Sequence, residues 1–318
     1  MKAILWYSVP FMGAGAAVYE RFKDMLLDAP GSRKDYWALD PRYPQVREYL
    51  VRIYEKAVKD WELDGLKLDF INQFNLEGKS LEPDPRRDYV SLEDGVDALM
   101  TETYNRVKAI NPEIMIEFRQ PYVGPAIRKY GNMFRVGDCP GDAITNKQDV
   151  IDLRLTSGAT AVHSDMLMWN PEEQTENAAL QLISVLYSVP QVSVKLGSIS
   201  EEHRKMLLHN LTFWRENREL LLSGKVCATN PESGYGLVWS EKGREAIFTA
   251  YADRVIDCER FDRVIAVNAS AEEYLIFKNA EGKGYAVVDC TGNVLQTGTV
   301  DSNLFAVSVP LSGKVFAE

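Results

Sequence analysis

From Ile4 to about Gly224, short apolar runs alternate with segments whose apolar residues recur every three or four positions. The runs ILWYSVPF (4–11), GLKLDF (65–70), IMIEFRQ (114–120), NMFRVGD (132–138), TAVHSDM (160–166) and PQVSVKL (190–196) predict strands. Between the first two, Val46, Leu50, Ile53, Tyr54, Ala57, Val58 and Trp61 form one apolar stripe of a helix. Val96, Leu99, Met100, Tyr104 and Val107 repeat the pattern before the third strand, and the 174–187 segment does so before the sixth. A further helix starts at Ser200, a good N-cap, and stops at Gly224, a good residue to end one. Repeated strand–helix units imply parallel strands with right-handed crossovers, and near-continuous apolar strands imply cover on both faces.

After Gly224 the pattern changes. KVCATN, YGLVWS, AIFTAY, RVIAVN, EYLIFK, YAVVDC, NVLQTG and LFAVSV are short strands punctuated by Gly, Asn, Asp and Ser. They predict a small antiparallel β-sandwich over 225–318, behind an α/β catalytic portion over 1–224. The opening run is interrupted by Ser8 and Pro10, lacks a small-x-small cleavage site and is too short to span a bilayer. It reads as a buried strand, and with no export signal in the chain a cytoplasmic location is expected.

Composition narrows the function classes. A formal net charge of -10, with no cluster of Lys or Arg, disfavours nucleic acid and anionic membranes as partners. The four cysteines, Cys139, Cys227, Cys258 and Cys290, have unrelated spacings and no CxxC pair, which suits neither a disulfide framework nor a thiolate metal site.

The polar residues fall at the C-terminal ends of the strands, where parallel barrels place their chemistry, and this favours a barrel over an open sheet. Asp69 ends GLKLDF, and alternation points Lys67 the same way. An ammonium beside a carboxylate favours the ionised form that a carboxylate nucleophile requires. A structural Lys–Asp pair is the plainer alternative. A second cluster runs Arg135-Val136-Gly137-Asp138-Cys139-Pro140-Gly141-Asp142, where Pro140 and Gly141 force a loop and Asp142 is also a natural helix cap. Arg119 and His163-Ser164-Asp165 lie at two further strand ends. A metal would want a third ligand beside His163 and Asp165, and His203 and His209 fall in a helix, so no metal or other cofactor is expected. Trp6 and Trp169, near strand ends, are suited to stacking on sugar rings or to core packing.

Taken in order, these segments resemble the melibiase-type α-galactosidases, glycoside hydrolase family 36 of the retaining α-glycosidase clan. ILWYSVPF matches a Gly-Ile-Trp-x-x-Pro-Phe-like strand. Trp37-Ala38-Leu39-Asp40-Pro41 is followed by a helix leading to GLKLDF, then by an arginine-bearing strand before an Asp loop. The resemblance runs to about Gly224, and the β domain behind it is also family-like. It implies a (β/α)8-type TIM barrel, and a retaining hydrolase releasing terminal α-galactose from oligosaccharides by double displacement. Carried over residue by residue, Asp69 is the nucleophile, Lys67 contacts sugar hydroxyls, Trp6 lies at the sugar site, and Arg135 lies beside the acid/base, Asp138. Many relatives space that arginine and acid one residue further apart, where this chain has Cys139, so Asp142 is the second candidate. Asp165 is a substrate contact by position alone.

A larger departure lies upstream. Relatives carry an N-terminal β-supersandwich and two barrel strands before the tryptophan strand, and the second of those ends in acidic residues that bind the sugar. The six strands here are then the third to eighth of eight. An incomplete barrel of that kind leaves ILWYSVPF and PQVSVKL as apolar edges, and a homo-oligomer is among the outcomes to expect. An N-acetylgalactosaminidase, a raffinose-type galactosyl transferase and a non-catalytic sugar-binding barrel remnant are the alternative functions.

Overall fold

The structure, a computed structural model, describes residues 2–28, 35–78, 82–119 and 123–318. Met1 and Gln120, at the ends of two expected segments, lie outside the described residues. The chain forms two compact units, Met1–Arg135 and Val136–Glu318.

The first unit runs β1 (Ile4–Ser8), β2 (Phe11–Gly13), α1 (Tyr19–Phe22), β3 (Tyr36–Ala38), α2 (Pro44–Asp60) and β4 (Gly65–Asp69). It continues with α3 (Leu92–Ile110), β5 (Met115–Arg119), α4 (Pro125–Arg128) and β6 (Met133–Arg135). β1, β4, β5 and β6 pair in that order, all parallel, while β2 and β3 make a small antiparallel ribbon. Pro44 sits at the start of α2, where its missing N–H costs nothing, and Ser91 caps α3 by accepting from the Asp94 N–H at 3.0 Å. One face of the parallel ladder is apolar: Leu66, Leu68, Ile116, Phe118 and Phe134 are buried. Val46, Leu50, Tyr54 and Val58 of α2 and Leu99, Met100 and Val107 of α3 are buried too, the stripes that periodicity picks out. The opposite face carries Trp6, Lys67, Asp69, Glu117, Arg119 and Arg135, two residues apart along each strand.

The second unit begins with α5 (Ala143–Thr156), β7 (Ala161–Leu167), α6 (Thr175–Ser184), β8 (Val189–Val192) and α7 (Glu201–Ser223). β7 and β8 are parallel. All six expected strands therefore form, four in one unit and two in the other. Ten strands follow: β9 (Lys225–Ala228), β10 (Leu237–Lys242), β11 (Glu245–Ala250), β12 (Val255–Asp257) and β13 (Arg263–Asn268), then β14 (Tyr274–Lys278), β15 (Gly284–Val288), β16 (Val294–Thr299), β17 (Leu304–Ser308) and β18 (Lys314–Ala317). They build a sheet ordered β16-β15-β18-β13-β11-β10-β9 and a smaller one ordered β12-β14-β17. Phe248, Ala266, Val287 and Val315 of the larger sheet share one buried core with Leu275, Phe277 and Val307 of the smaller. That is a sandwich, as expected, but not a wholly antiparallel one. β11 pairs β13 in parallel, and β12 pairs β14 in parallel, because Val255–Asp257 crosses to the small sheet between β11 and β13.

The outer face of the larger sheet packs on α7, which begins at Ser200, whose hydroxyl accepts from the His203 N–H at 3.1 Å. The buried Tyr187 hydroxyl lies 2.9 Å from the Val238 carbonyl and 2.9 Å from Thr249 Oγ1. Arg154 donates to the carbonyls of Tyr187 and Gly224 at 3.0 and 3.4 Å, and Ser312 Oγ to that of Glu176 at 2.7 Å. Gly224 ends α7 in an extended conformation, φ -70°, not the left-handed one common after helices. Glycine is required there by crowding: a Cβ would lie 2.3 Å from the Leu220 carbonyl and 2.4 Å from Ser240 Oγ.

Lys314 is 1% exposed, and its Nζ donates to Asn210 Oδ1 at 2.8 Å. Burial pushes its pKa down to about 8, against the opposing pull of Cys290 and Asp289. An unfolded lysine titrates near 10.4, so between pH 8 and 10.5 the unfolded chain binds the extra proton and folding stability rises with pH. Denaturant melts of wild type and Lys314→Met across that window should show a wild-type gain, relative to the variant, on the order of 3 kcal/mol. Parallel curves would show that burial of Lys314 carries no such penalty.

Candidate active site

The charged face of the first unit's parallel ladder is set by register. Trp6 lies opposite Lys67 and Ser8 opposite Asp69. Lys67 lies opposite Glu117, and Arg119 opposite Arg135. Trp6, Lys67, Asp69 and Arg135, all picked out by sequence, thus lie on one face of the ladder, Asp69 and Arg135 as the last residues of their strands. Trp6 is 51% exposed, whereas Asp69 is only 4% exposed.

Hydrogen bonds from Trp6 and Phe70 and an ion pair with Arg119 engage the Asp69 carboxylate. The Trp6 indole N–H donates to Oδ2 at 3.0 Å, the Phe70 N–H to Oδ1 at 2.7 Å, and Arg119 Nε lies 3.2 Å from Oδ1. Phe70 leaves the strand, in contrast to its expected place within it, and adopts φ 64°, ψ 23°. Bulky residues rarely take this left-handed conformation. It turns the Phe70 N–H back onto the preceding carboxylate. Trp6 contacts the Phe70 ring edge-on at 6.1 Å between centroids, Phe11 meets it at 5.6 Å, and the Arg119 guanidinium lies over it at 5.2 Å. The strained turn is therefore clasped by aromatic and cationic neighbours.

The ion pairs differ from the simplest reading of Lys-x-Asp. Lys67 Nζ lies 3.4 Å from Glu117 Oε1, its partner across the ladder, and the guanidinium on Asp69 comes from Arg119. Burial draws the Lys67 ammonium below its usual range and Arg135 adds to this, while Glu117 and Asp69 oppose it. Glu117 is the buried carboxylate that sequence reasoning missed. Its signal was the Glu-x-Arg alternation in IMIEFRQ, which sends two charges to one face of a strand.

In the second unit, the loop after Val136 carries Asp138 exposed to solvent. Asp165 is fully buried beneath that loop, its Oδ2 accepting from the Cys139 N–H at 2.5 Å. Asn146 holds the Asp165 backbone, with Asp165 N–H donating to its Oδ1 at 3.1 Å. Asp165 was expected to contact substrate; in this structure its carboxylate is buried and holds the loop backbone at Cys139. Asp142 caps α5, accepting from the N–H groups of Ile144 and Thr145 at 3.0 Å and from the Thr145 hydroxyl at 2.7 Å. These bonds, the Thr145 N–H foremost, hold its carboxyl below the usual range. Trp169 donates its indole N–H to His203 Nδ1 at 3.2 Å, so this histidine, on α7, lies close to the end of β7 after all. Among the described residues, no group of three or more His, Cys, Asp or Glu is arranged to hold a metal ion, and no helix is long and apolar enough to cross a membrane.

The charged side chains gather on one face of the parallel ladder, towards the strand ends where α/β folds hold their sites, and solved structures share this fold. No family model matches the chain, and no curated protein matches it. The GH36 α-galactosidase AgaA from Geobacillus stearothermophilus is similar to all of the chain, with a TM-score of 0.67 and 14% identity, and the match covers 45% of that protein. The galactosidase domain of the α-galactosidase–sucrose kinase AgaSK matches 100% of the chain at TM-score 0.67 and 12% identity, over 44% of its own length. The α-galactosidase from Lactobacillus brevis does so at TM-score 0.64 and 14% identity, again over 44%. The chain thus has the fold of part of the GH36 α-galactosidases, and spans less than half the length of those structures.

Proposed function

We propose that this chain carries the catalytic machinery of a retaining α-glycosidase that releases terminal α-galactose from oligosaccharides. The observation that carries the reading is Asp69: a buried carboxylate at a strand end, hydrogen-bonded by Trp6 and Phe70, paired with Arg119, and flanked by Lys67 and by the half-exposed Trp6 ring. In this reading residues 1–224 are the barrel portion and 225–318 the accompanying β domain. Asp69 attacks the anomeric carbon as the bond to the leaving-group oxygen breaks, and Asp138 gives that oxygen a proton. Water then attacks the same carbon, Asp138 takes a proton from it, and the sugar–Asp69 bond breaks. Lys67 and Arg135 bind sugar hydroxyls, and Trp6 covers an apolar sugar face. The likeness to GH36 enzymes supports the sugar class, since variants of AgaA have been solved in complex with raffinose and with stachyose.

A second reading is a sugar-binding unit without turnover. It is favoured by Ile4 and Trp6, which leave the first strand of the ladder 39% and 51% exposed at these positions. The discriminating experiment pairs a nitrophenyl α-galactoside assay with calorimetric titration of galactose. Turnover that depends on Asp69 supports the enzyme. Saturable galactose binding with no release of nitrophenol, from this or from the N-acetylgalactosaminide, supports the binding unit.

A further inference from the structure

The larger sheet of the β domain has seven strands and the smaller one facing it has three. Alternation sends Leu237 and Trp239 of β10 to the same side of the larger sheet. Register sets Trp239 opposite Phe248 of β11, and the two rings stack at 5.6 Å with 22° between their planes. A cleft of about 330 Å³ opens over these three residues, within the range of about 300–1,000 Å³ of small-molecule sites. Phe261, 5% exposed, also lines it and meets Phe248 edge-on at 5.8 Å.

The other wall is polar. β12 is an edge strand paired only with β14. The Cys258 N–H donates to the Lys278 carbonyl at 2.9 Å, so parallel alternation turns the backbone N–H and C=O groups of Val255 and Asp257 to the open edge. Val255 and Asp257, and not Ile256 between them, line the cleft. The Asp257 carboxylate takes the Asn279 amide at 2.9 Å and the Glu259 N–H at 3.0 Å, both on Oδ1. These bonds, that of Asn279 foremost, hold its carboxyl below the usual range, so it is an ionised acceptor at neutral pH. Glu259 stands exposed at the same rim. The Arg260 guanidinium lies over the Phe261 ring at 5.2 Å and donates to Glu241 Oε2 at 3.0 Å. The same oxygen accepts from the Trp239 indole at 2.9 Å, so one carboxylate fixes both the ring and the guanidinium.

We infer that this cleft binds an uncharged pyranose unit, whose C–H face lies on Trp239 and whose hydroxyls bond Asp257, Glu259 and the open edge of β12. The inference concerns binding alone and goes beyond the role given to Asp69. Charge selects the ligand. Asp257 and Glu259 repel an anion. A cation is repelled by Arg260, which already holds the cation's place over Phe261. A hydrocarbon would leave the edge N–H groups of Val255 and Asp257 without acceptors. An added peptide strand would find only these two residues to pair with. A pyranose has an apolar face, and each of its hydroxyls both donates and accepts, which suits carboxylates and backbone groups together.

The test is calorimetric titration of the whole chain with methyl galactosides and glucosides of both anomers. Wild type, Trp239→Ala, Asp257→Asn and Asp69→Ala are compared. At least one sugar should bind wild type saturably. Trp239→Ala should weaken that binding by at least about tenfold and Asp257→Asn by about three- to tenfold, with Asp69→Ala leaving it unchanged. Saturation-transfer NMR should find the protons of one face of the sugar ring closest to the protein. If Trp239→Ala fails to fold, Asp257→Asn and Glu259→Gln, at exposed positions, carry the test. No saturable binding of any of these sugars, or binding indifferent to both Trp239 and Asp257, overturns the inference. So does binding of cadaverine or of a capped valine dipeptide where no sugar binds. Sugar binding lost only in Asp69→Ala overturns it while leaving the glycosidase reading in place. Binding that depends on Trp239 in a protein without turnover upholds it while that reading fails.

Discussion

Asp69→Ala should lower turnover of an aryl α-galactoside by at least about three orders of magnitude, because in this reading Asp69 forms the covalent intermediate. Azide should then restore part of the rate and yield a β-galactosyl azide, the product of a single displacement. The surroundings of Asp69 make the variant informative. Trp6 and Phe70 lose an acceptor and Arg119 loses an ion-pair partner. An unfolded variant would be recognised by its circular dichroism. A folded Asp69→Ala protein with near-normal turnover would remove the assignment.

The second large effect belongs to Asp138. Asp138→Ala should leave the first step nearly intact for a dinitrophenyl galactoside, whose leaving group needs no proton, and slow it by roughly 100-fold or more for an oligosaccharide. The basic limb of the pH profile should vanish. Asp142 provides the comparison. Its carboxylate is engaged by three donors at the start of α5, so Asp142→Ala should act on stability, costing about 1 kcal/mol, with kinetics close to wild type. If Asp142→Ala shows the leaving-group dependence and Asp138→Ala does not, the two roles are reversed.

Much of the architecture was legible because the physics that sets it is local. In GLKLDF and IMIEFRQ, Leu66, Leu68, Ile116 and Phe118 supply the apolar face of the ladder, so both stand out as strands. The stripes of α2 and α3 recur at helical spacing, and Ser200 has the hydroxyl that an N-terminus lacks. What was not legible depends on pairing between distant segments. Alternation puts Lys67 and Asp69 on one face, but only the register of β4 against β5 sends Lys67 to Glu117. The turn at Phe70 was hidden because a phenylalanine does not advertise a left-handed backbone. β18 escaped notice because it opens with a lysine, and nothing in KVFA says that this lysine will be buried. Asp165 looked like a strand-end ligand, since sequence gives its position along β7 but not the loop resting on it.

The seam at Gly224 has a consequence for anyone who treats proteins as strings of interchangeable parts. By secondary structure it is the obvious place to cut. Yet Tyr187, Ser312 and Lys314 reach across it through hydrogen bonds, the first to the sheet and the other two back from it. Severing the chain there would strand a phenol, a hydroxyl and an ammonium at newly bared surfaces, each lost bond costing about 1–3 kcal/mol. The 225–318 segment is thus no portable cassette. Moved into another gene, it would carry a sheet whose back was shaped for helices left behind.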